Sequence, residues 1–218
     1  MLIEMRRYEV LPGQMDKMHD RMANMLLPLF REHGIPKPLS IWENRDTTST
    51  LTWMVQWPSF EVRLEAWSRF APIFVAARQA EGTPEFVTRT TLTVIAPWEH
   101  GNFGFDGATG ACETAWHVQP RIGFGAGFMA ACRQDLFARF MSVGAIQVNG
   151  CNLLFGALPQ AMVLLRWPDT ATRIKGMSAL AEQALGPTLQ QGLLGAGARL
   201  ADAGEWEILD RVAYLDLA

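Results

Sequence analysis

A chain of 218 residues that is 49% hydrophobic and 19% charged has enough apolar side chains for a real core. Its 19 Lys and Arg against 22 Asp and Glu leave a net charge of −3 with no clustered basic stripe, which argues against nucleic acid as a partner. Three widely spaced cysteines, Cys112, Cys132 and Cys151, form no C-x-x-C pair, so neither a disulfide framework nor a zinc knuckle is expected, and a reducing cytoplasm fits.

The chain enters a strand-like run at once, Leu2 to Val10, without the basic stretch and apolar core of an export signal. A helix follows over about 14–33, then strands over about 38–45 and 50–57, a helix over about 60–80 and a strand over about 86–97. Glu99 to Gly110 is Gly-rich and reads as a linker, giving a first unit of residues 1–98, a linker of 99–112 and a second unit of 113–218. The second unit runs as a strand over about 114–121, a helix over about 126–143, strands over about 148–157 and 161–167, a helical region over about 170–201 and a strand near 206–217. Gly186-Pro187 interrupts that helical region, and Gln191 to Gly204 is a Gly/Ala-rich addition. The hairpin turns fall at Asp46 to Ser49 and Leu158 to Gln160. The longest weakly charged stretch, Gly123 to Cys132, is too short to span a bilayer, so no membrane partner is expected.

The two halves repeat. Met54-Val55-Gln56-Trp57-Pro58 and Leu164-Leu165-Arg166-Trp167-Pro168 each end a strand, and the two Trp lie 110 residues apart (167 − 57). At the same offset Gly34 matches Gly144, each closing a helix, Arg63 matches Arg173, and Ser40 matches Gly150. The stripe Met18, Met22, Leu26, Phe30 maps onto Phe128, Cys132, Leu136, Phe140, and Leu64, Trp67, Phe70, Phe74 onto Ile174, Met177, Leu180, Ala184. Thr50 to Trp57 and Ala161 to Trp167 are apolar on both faces, as strands covered on both sides must be. Together these patterns predict an α+β fold: two tandem ferredoxin-like βαββαβ units forming a pseudo-symmetric α+β barrel.

Ile3-Glu4-Met5-Arg6-Arg7-Tyr8 followed by Pro12-Gly13, then His33-Gly34, Ser40-Ile41-Trp42 and Trp53-Met54-Val55-Gln56-Trp57 with Ser59 and Arg63, resembles the NIPSNAP family. The resemblance covers residues 1–98; in the second copy Thr114, Trp116 and Val118 stand where Glu4, Arg6 and Tyr8 do. It implies a unit of the dimeric α+β barrel superfamily, whose members include cofactor-free oxygenases, isomerases, cyclases and dehydratases as well as haem enzymes, so it implies a fold with many functions.

Glu4, Arg6 and Tyr8 share one face of their strand, Ile3 and Met5 the other. If Ile3 and Met5 meet the helices, the trio faces the barrel interior, with Glu4 as a base, Tyr8 as a proton donor and Arg6 polarising an oxygen; the alternative is a structural Glu4–Arg6 pair. His117 is the best single acid/base candidate, against the alternative of a packed histidine. Trp42, Trp53, Trp57 and Trp116 could stack an aromatic ligand, and Gln56 and Arg166 add polar groups to an apolar wall; simple core packing is the alternative for the tryptophans. No histidine pair has metal-ligand spacing, so no metal is expected; no cofactor is indicated either, although one axial histidine would suffice for haem. Gly123-Phe124-Gly125-Ala126-Gly127-Phe128 lacks the Lys of a phosphate loop and reads as a tight turn. The expectation is a small hydrophobic or aromatic ligand and a cofactor-independent isomerase, cyclase, lyase or oxygenase. The alternative is a non-catalytic binding or protein-interaction module, and assembly into a homo-oligomer is left open.

Overall fold

The computed structural model describes residues 2–44, 48–98, 112–155, 160–182, 200–201 and 204–214. The first copy runs β1 (Leu2–Val10), α1 (residues 15–33), β2 (Ser40–Asn44), β3 (Thr50–Trp57), α2 (Phe60–Glu81) and β4 (Val87–Pro97). The second runs β5 (Cys112–Val118), α3 (residues 125–142), β6 (Gln147–Leu153), β7 (Gln160–Trp167), α4 (Thr170–Glu182) and β8 (Glu205–Arg211). The eight strands, in the order β1-β3-β2-β8-β5-β7-β6-β4, make a closed antiparallel barrel, as the repeat predicts. The proposed linker, the Gly186-Pro187 break and most of the Gly/Ala-rich addition lie outside the described residues.

Compact units divide at Ile95/Ala96 and again at Arg211/Val212, so that Val212 and Tyr214, which end the described chain, pack in the core of the first unit rather than the second. In the first unit β1 lies between β3 and β4, and β2 pairs with β3. In the second, β5 lies between β7 and β8, and β6 pairs with β7. β3 and β7 are buried along nearly their whole length on both faces, which is why their sequences do not alternate.

The helices carry the repeat into detail that periodicity cannot reach. α1 is α-helical over Met15–Arg21 and Leu27–His33 with one π-helical turn, Met22–Leu26, between them; α3 repeats this with Cys132–Leu136 between Gly125–Ala131 and Phe137–Ser142. Proline is not the common cause, since Pro28 of the first copy is matched by Ala138 in the second. Both helices end in a left-handed glycine, Gly34 at φ 77° and Gly144 at φ 108°, where a Cβ would be strained. Met18, Met22, Leu26 and Phe30, and their partners Phe128, Cys132, Leu136 and Phe140, are all buried. α2 starts on Ser59, whose Oγ accepts from the Val62 amide at 3.3 Å.

Two expectations need correction. Leu64 and Ile174 are 55% and 60% exposed, because α2 turns the row of Arg63, Trp67, Phe70 and Phe74 to the sheet and leaves Leu64 beside it. The offset of 110 also slips in β6: Ile41 pairs with Trp53, and Gly150 pairs with Val163, so Gly150 matches Ile41 rather than Ser40. Gly150 is bare because Trp98 occupies that space; a Cβ there would lie 2.0 Å from the Trp98 ring.

Candidate functional site

The pleat of β1 decides where its polar side chains go. Trp57, Trp53 and Val55 of β3 belong to the core under α1 and α2, and Glu4 pairs with Val55 while Arg6 pairs with Trp53, so Glu4, Arg6 and Tyr8 share that helix-facing side. The expectation that the trio faces the barrel interior is therefore reversed. Ile3 and Met5, together with Trp42 and Gln56, lie on the sheet face turned away from the helices.

Beneath the helices Glu4 is fully buried and accepts from four donors. Arg6 Nε reaches Oε1 at 2.5 Å; Arg63 Nε, Trp57 Nε1 and Trp67 Nε1 reach Oε2 at 2.7, 3.0 and 3.1 Å. Burial alone would raise its pKa, but the guanidinium groups of Arg6 and Arg63 outweigh that and hold the carboxyl below its ordinary range. A carboxylate so stabilised is a poor base, and its acceptor sites are taken. Glu4 thus fixes its neighbours: Arg6 lies flat on Trp67, with Cζ 3.7 Å from the ring centroid.

Beside this network is a cavity of about 260 Å³ lined by Arg6 and Tyr8 of β1, Met18, Arg21 and Leu26 of α1, Phe74 of α2, and Glu85, Val87 and Thr90. Burial pushes the Tyr8 phenol above its ordinary pKa, although Arg6 and Trp53 pull the other way, so it stays protonated and can donate. Arg21 is 4% exposed, donates from Nη1 to Glu85 Oε1 at 2.8 Å, and holds Cζ 3.7 Å from the Phe86 ring centroid. Its buried Nε and Nη2 have no hydrogen-bond acceptor among the described residues, Glu81 lying 3.6 Å from Nε. Glu85 is lowered to about 2: burial works against this, but the Arg21 hydrogen bond and the amides of Val87 and Phe86 prevail. The cavity thus offers two guanidinium groups and a phenol around an apolar space, and its one carboxylate is already engaged.

The second unit places its polar groups elsewhere. Trp116, at the position of Arg6, points under the helices and stacks on Trp206 with centroids 5.6 Å apart. His117 lies on the other face of β5, its side chain 35% exposed, with Nε2 2.9 Å from Glu207 Oε2. Arg166 is buried on that same face and donates from Nε to Glu113 Oε1 at 3.0 Å. Of the residues singled out in the sequence, then, Glu4, Arg6, Tyr8 and Trp53 come together in the first unit, while Trp42 and Gln56 lie on the other face of its sheet. His117, Trp116 and Arg166 belong to the second unit. Among the described residues no group of His, Cys, Asp and Glu is placed to hold a metal ion, and no helix is long and apolar enough to cross a membrane.

No protein-family model matches the chain, and no curated protein does. Solved structures do. A Fusobacterium nucleatum protein described as a candidate monooxygenase is similar over 97% of this chain and 92% of its own, with 8% identity and a TM-score of 0.65. An anthrone oxidase-like protein is similar over 97% of this chain and 91% of its own, with 12% identity and a TM-score of 0.59. A NIPSNAP domain protein from Burkholderia xenovorans, 16% identical, covers 47% of this chain and 99% of its own length at a TM-score of 0.40. What the chain shares with the first two is the fold, α+β with a closed antiparallel eight-strand barrel.

Arg21 and Glu85 escaped the sequence reading. Arg21 sits in α1 between Met18 and Leu26 of the buried stripe, and an arginine there was the available signal; Glu85, in the loop before β4, had none. Arg63 and Trp67 stood out as repeat landmarks, but their meeting on Glu4 depends on how α2 packs.

Proposed function

We propose that the protein binds a small aromatic or hydrophobic metabolite bearing an anionic or polarisable oxygen, in the cavity of the first unit. The observation that carries this reading is the Arg21 guanidinium: more than nine-tenths buried, with Nε and Nη2 lacking a hydrogen-bond acceptor among the described residues, on the wall of a cavity shared with Arg6 and Tyr8. Leaving a buried donor unmade costs about 1–3 kcal/mol, and a ligand carboxylate or carbonyl oxygen would recover it. Met18, Leu26, Phe74 and Val87 supply an apolar wall for a single ring.

If the bound molecule reacts, this set of groups suits stabilising charge that develops on an oxygen: two guanidinium groups, Arg6 fixed by Glu4 and Arg21 by Glu85, and a protonated phenol. It supports a cofactor-independent small-molecule enzyme of the isomerase, cyclase, lyase or oxygenase kind. The fold likeness to proteins described as candidate monooxygenases, from Fusobacterium nucleatum and Lactobacillus acidophilus, and to an anthrone oxidase-like protein points the same way. A second reading, an interaction module or homo-oligomer, rests on Leu64 and Ile174, apolar and exposed at matching positions of α2 and α4.

The test is benzoate binding followed by tryptophan fluorescence, since Trp53 and Trp67 lie against Arg6. Arg21→Met and Tyr8→Phe should each weaken binding about tenfold, the loss of roughly one charge-assisted hydrogen bond. Absence of saturable binding, or an affinity equal to wild type in both variants, would remove the proposal.

A further inference from the structure

A second cluster in the first unit is unused by this reading. Tyr214 Oη lies 3.1 Å from His19 Nδ1, and His19 Nε2 lies 3.0 Å from Glu43 Oε2. The phenol comes from the end of the described chain, the imidazole from α1 and the carboxylate from β2. With Glu43 ionised, Nε2 carries the ring proton and donates to it, which leaves Nδ1 as an acceptor for the Tyr214 hydroxyl. The Tyr214 oxygen then keeps its lone pairs for something else.

Tyr214 also lines a groove of about 580 Å³, with Ala23, Leu27, Pro28, Phe30 and Ile35 as apolar wall and Arg31 and Lys37 as cationic side chains. The volume is that of a small-molecule site. Arg31 and Lys37 favour a ligand that carries or acquires negative charge.

The second unit shows what the fold itself requires at this place. There the Trp98 amide donates to Gly150 O at 2.9 Å just as the Val212 amide donates to Ile41 O at 3.1 Å, and Gly150 and Ile41 are the matched residues of β6 and β2. The residues matching His19 and Glu43 are Met129 and Asn152, in contact at 3.7 Å between Sδ and Nδ2, with Trp98 Nε1 donating to Asn152 Oδ1 at 2.9 Å. The same junction is held by neutral groups. A tether at this corner therefore needs no titratable chain, and the carboxylate, imidazole and phenol in the first unit call for a different explanation.

We infer that the groove is a second small-molecule site, for an apolar ligand with an acidic O–H such as a phenol or an enol, and that Tyr214 and His19 take up its proton. The ligand O–H proton passes to Tyr214 Oη as the Tyr214 proton passes to His19 Nδ1. The products are a ligand anion beside Arg31 and Lys37 and an imidazolium paired with Glu43, so charge balances and no oxidant or reductant is involved. Glu43 positions the ring and stabilises its charged form.

The probe is 4-nitrophenol, whose visible absorbance distinguishes phenol from phenolate. Bound to wild type, it should ionise about one pH unit below the free probe, about tenfold in proton affinity. Tyr214→Phe keeps the ring on the groove wall, and His19→Met installs the side chain the second unit uses; both should bind the probe and lose the shift. A shift that survives Tyr214→Phe, or no binding at all, overturns the inference. A shift abolished by Tyr8→Phe and kept by Tyr214→Phe would place the probe in the other cavity, which also overturns it. Benzoate binding is read separately, so the two sites can fail independently.

Discussion

One bond is made twice in this chain with different acceptors. Trp57 Nε1 donates to Glu4 Oε2 at 3.0 Å, and 110 residues on, Trp167 Nε1 donates to Thr114 Oγ1 at 2.9 Å. Both indoles are fully buried, so each needs an acceptor on the neighbouring strand; a threonine hydroxyl meets that need without charge. In the first unit the acceptor is ionised, and a buried carboxylate must be surrounded by donors, which brings in Arg6, Arg63 and Trp67. For Arg173, the match of Arg63, Thr114 stands at the position of that carboxylate, and the guanidinium pairs with Asp210 at 2.8 Å instead. A polar cavity adjoins the charged version, whereas Trp116 and Trp206 pack under the helices in the neutral one. Scaffold and site can thus be separated: the indole bond belongs to the fold, its charge to one unit.

The sharpest way to break that comparison is to remove each acceptor in turn. Glu4→Ala leaves Arg6, Arg63 and two indole donors without their common partner and should destabilise by about 3–5 kcal/mol, the cost of breaking one side of a buried ion pair. Thr114→Val leaves a single neutral donor unmade, for about 1–3 kcal/mol. Urea unfolding of both variants measures the difference, and equal losses would mean that the charge at Glu4 adds nothing to the network.

The pH axis gives a second, smaller difference. Because Glu4 is held below its ordinary range, the folded chain releases that proton more readily than the unfolded chain does. Its contribution is therefore complete above the ordinary carboxyl value of 4.5 and is lost as pH falls below it. Glu85, lowered to about 2, acts in the same direction over the window from 4.5 down to about 2. Wild-type stability should fall more steeply below pH 4.5 than that of Glu4→Gln, and Glu85→Gln should remove a further share. Parallel acid limbs for wild type and Glu4→Gln would show that this carboxyl titrates alike folded and unfolded.

What the sequence disclosed follows the same division. The barrel was legible because a repeat at fixed offset, a four-membered apolar stripe and strands apolar on both faces each require packing partners that only a two-sheet architecture provides. The matched π turns carry no compositional mark. The register slip at Gly150 was hidden because it goes with the Trp98 ring filling the space of a side chain, a contact between β6 and a residue just past the end of β4. For the site, the membership of Glu4, Arg6 and Tyr8 in one face was readable from the two-residue period, but which face met the helices was not. Alternation gives parity without direction. His19 stands alone in the sequence of its helix, and nothing local to it announces that Glu43 and Tyr214 converge there.

The smallest expected effect concerns the three cysteines, all of which belong to the second unit. Where the chain has Leu2, Met22 and Trp42 in the first unit, the matched residues of the second are Cys112, Cys132 and Cys151, the last by the slipped register of β6. All three are buried and unpaired in disulfides. Burial pushes the Cys132 and Cys151 thiols up to about 12 and raises Cys112 as well. At neutral pH almost none of the reactive thiolate exists, so these side chains behave as small apolar groups filling space that larger residues take in the other copy. Iodoacetamide added to the native protein should leave all three unmodified by intact mass over a period that fully labels the urea-unfolded chain. Modification of the native protein at the unfolded rate would mean that the second unit opens readily, and that its neutral packing is looser than the charged network opposite it in the repeat.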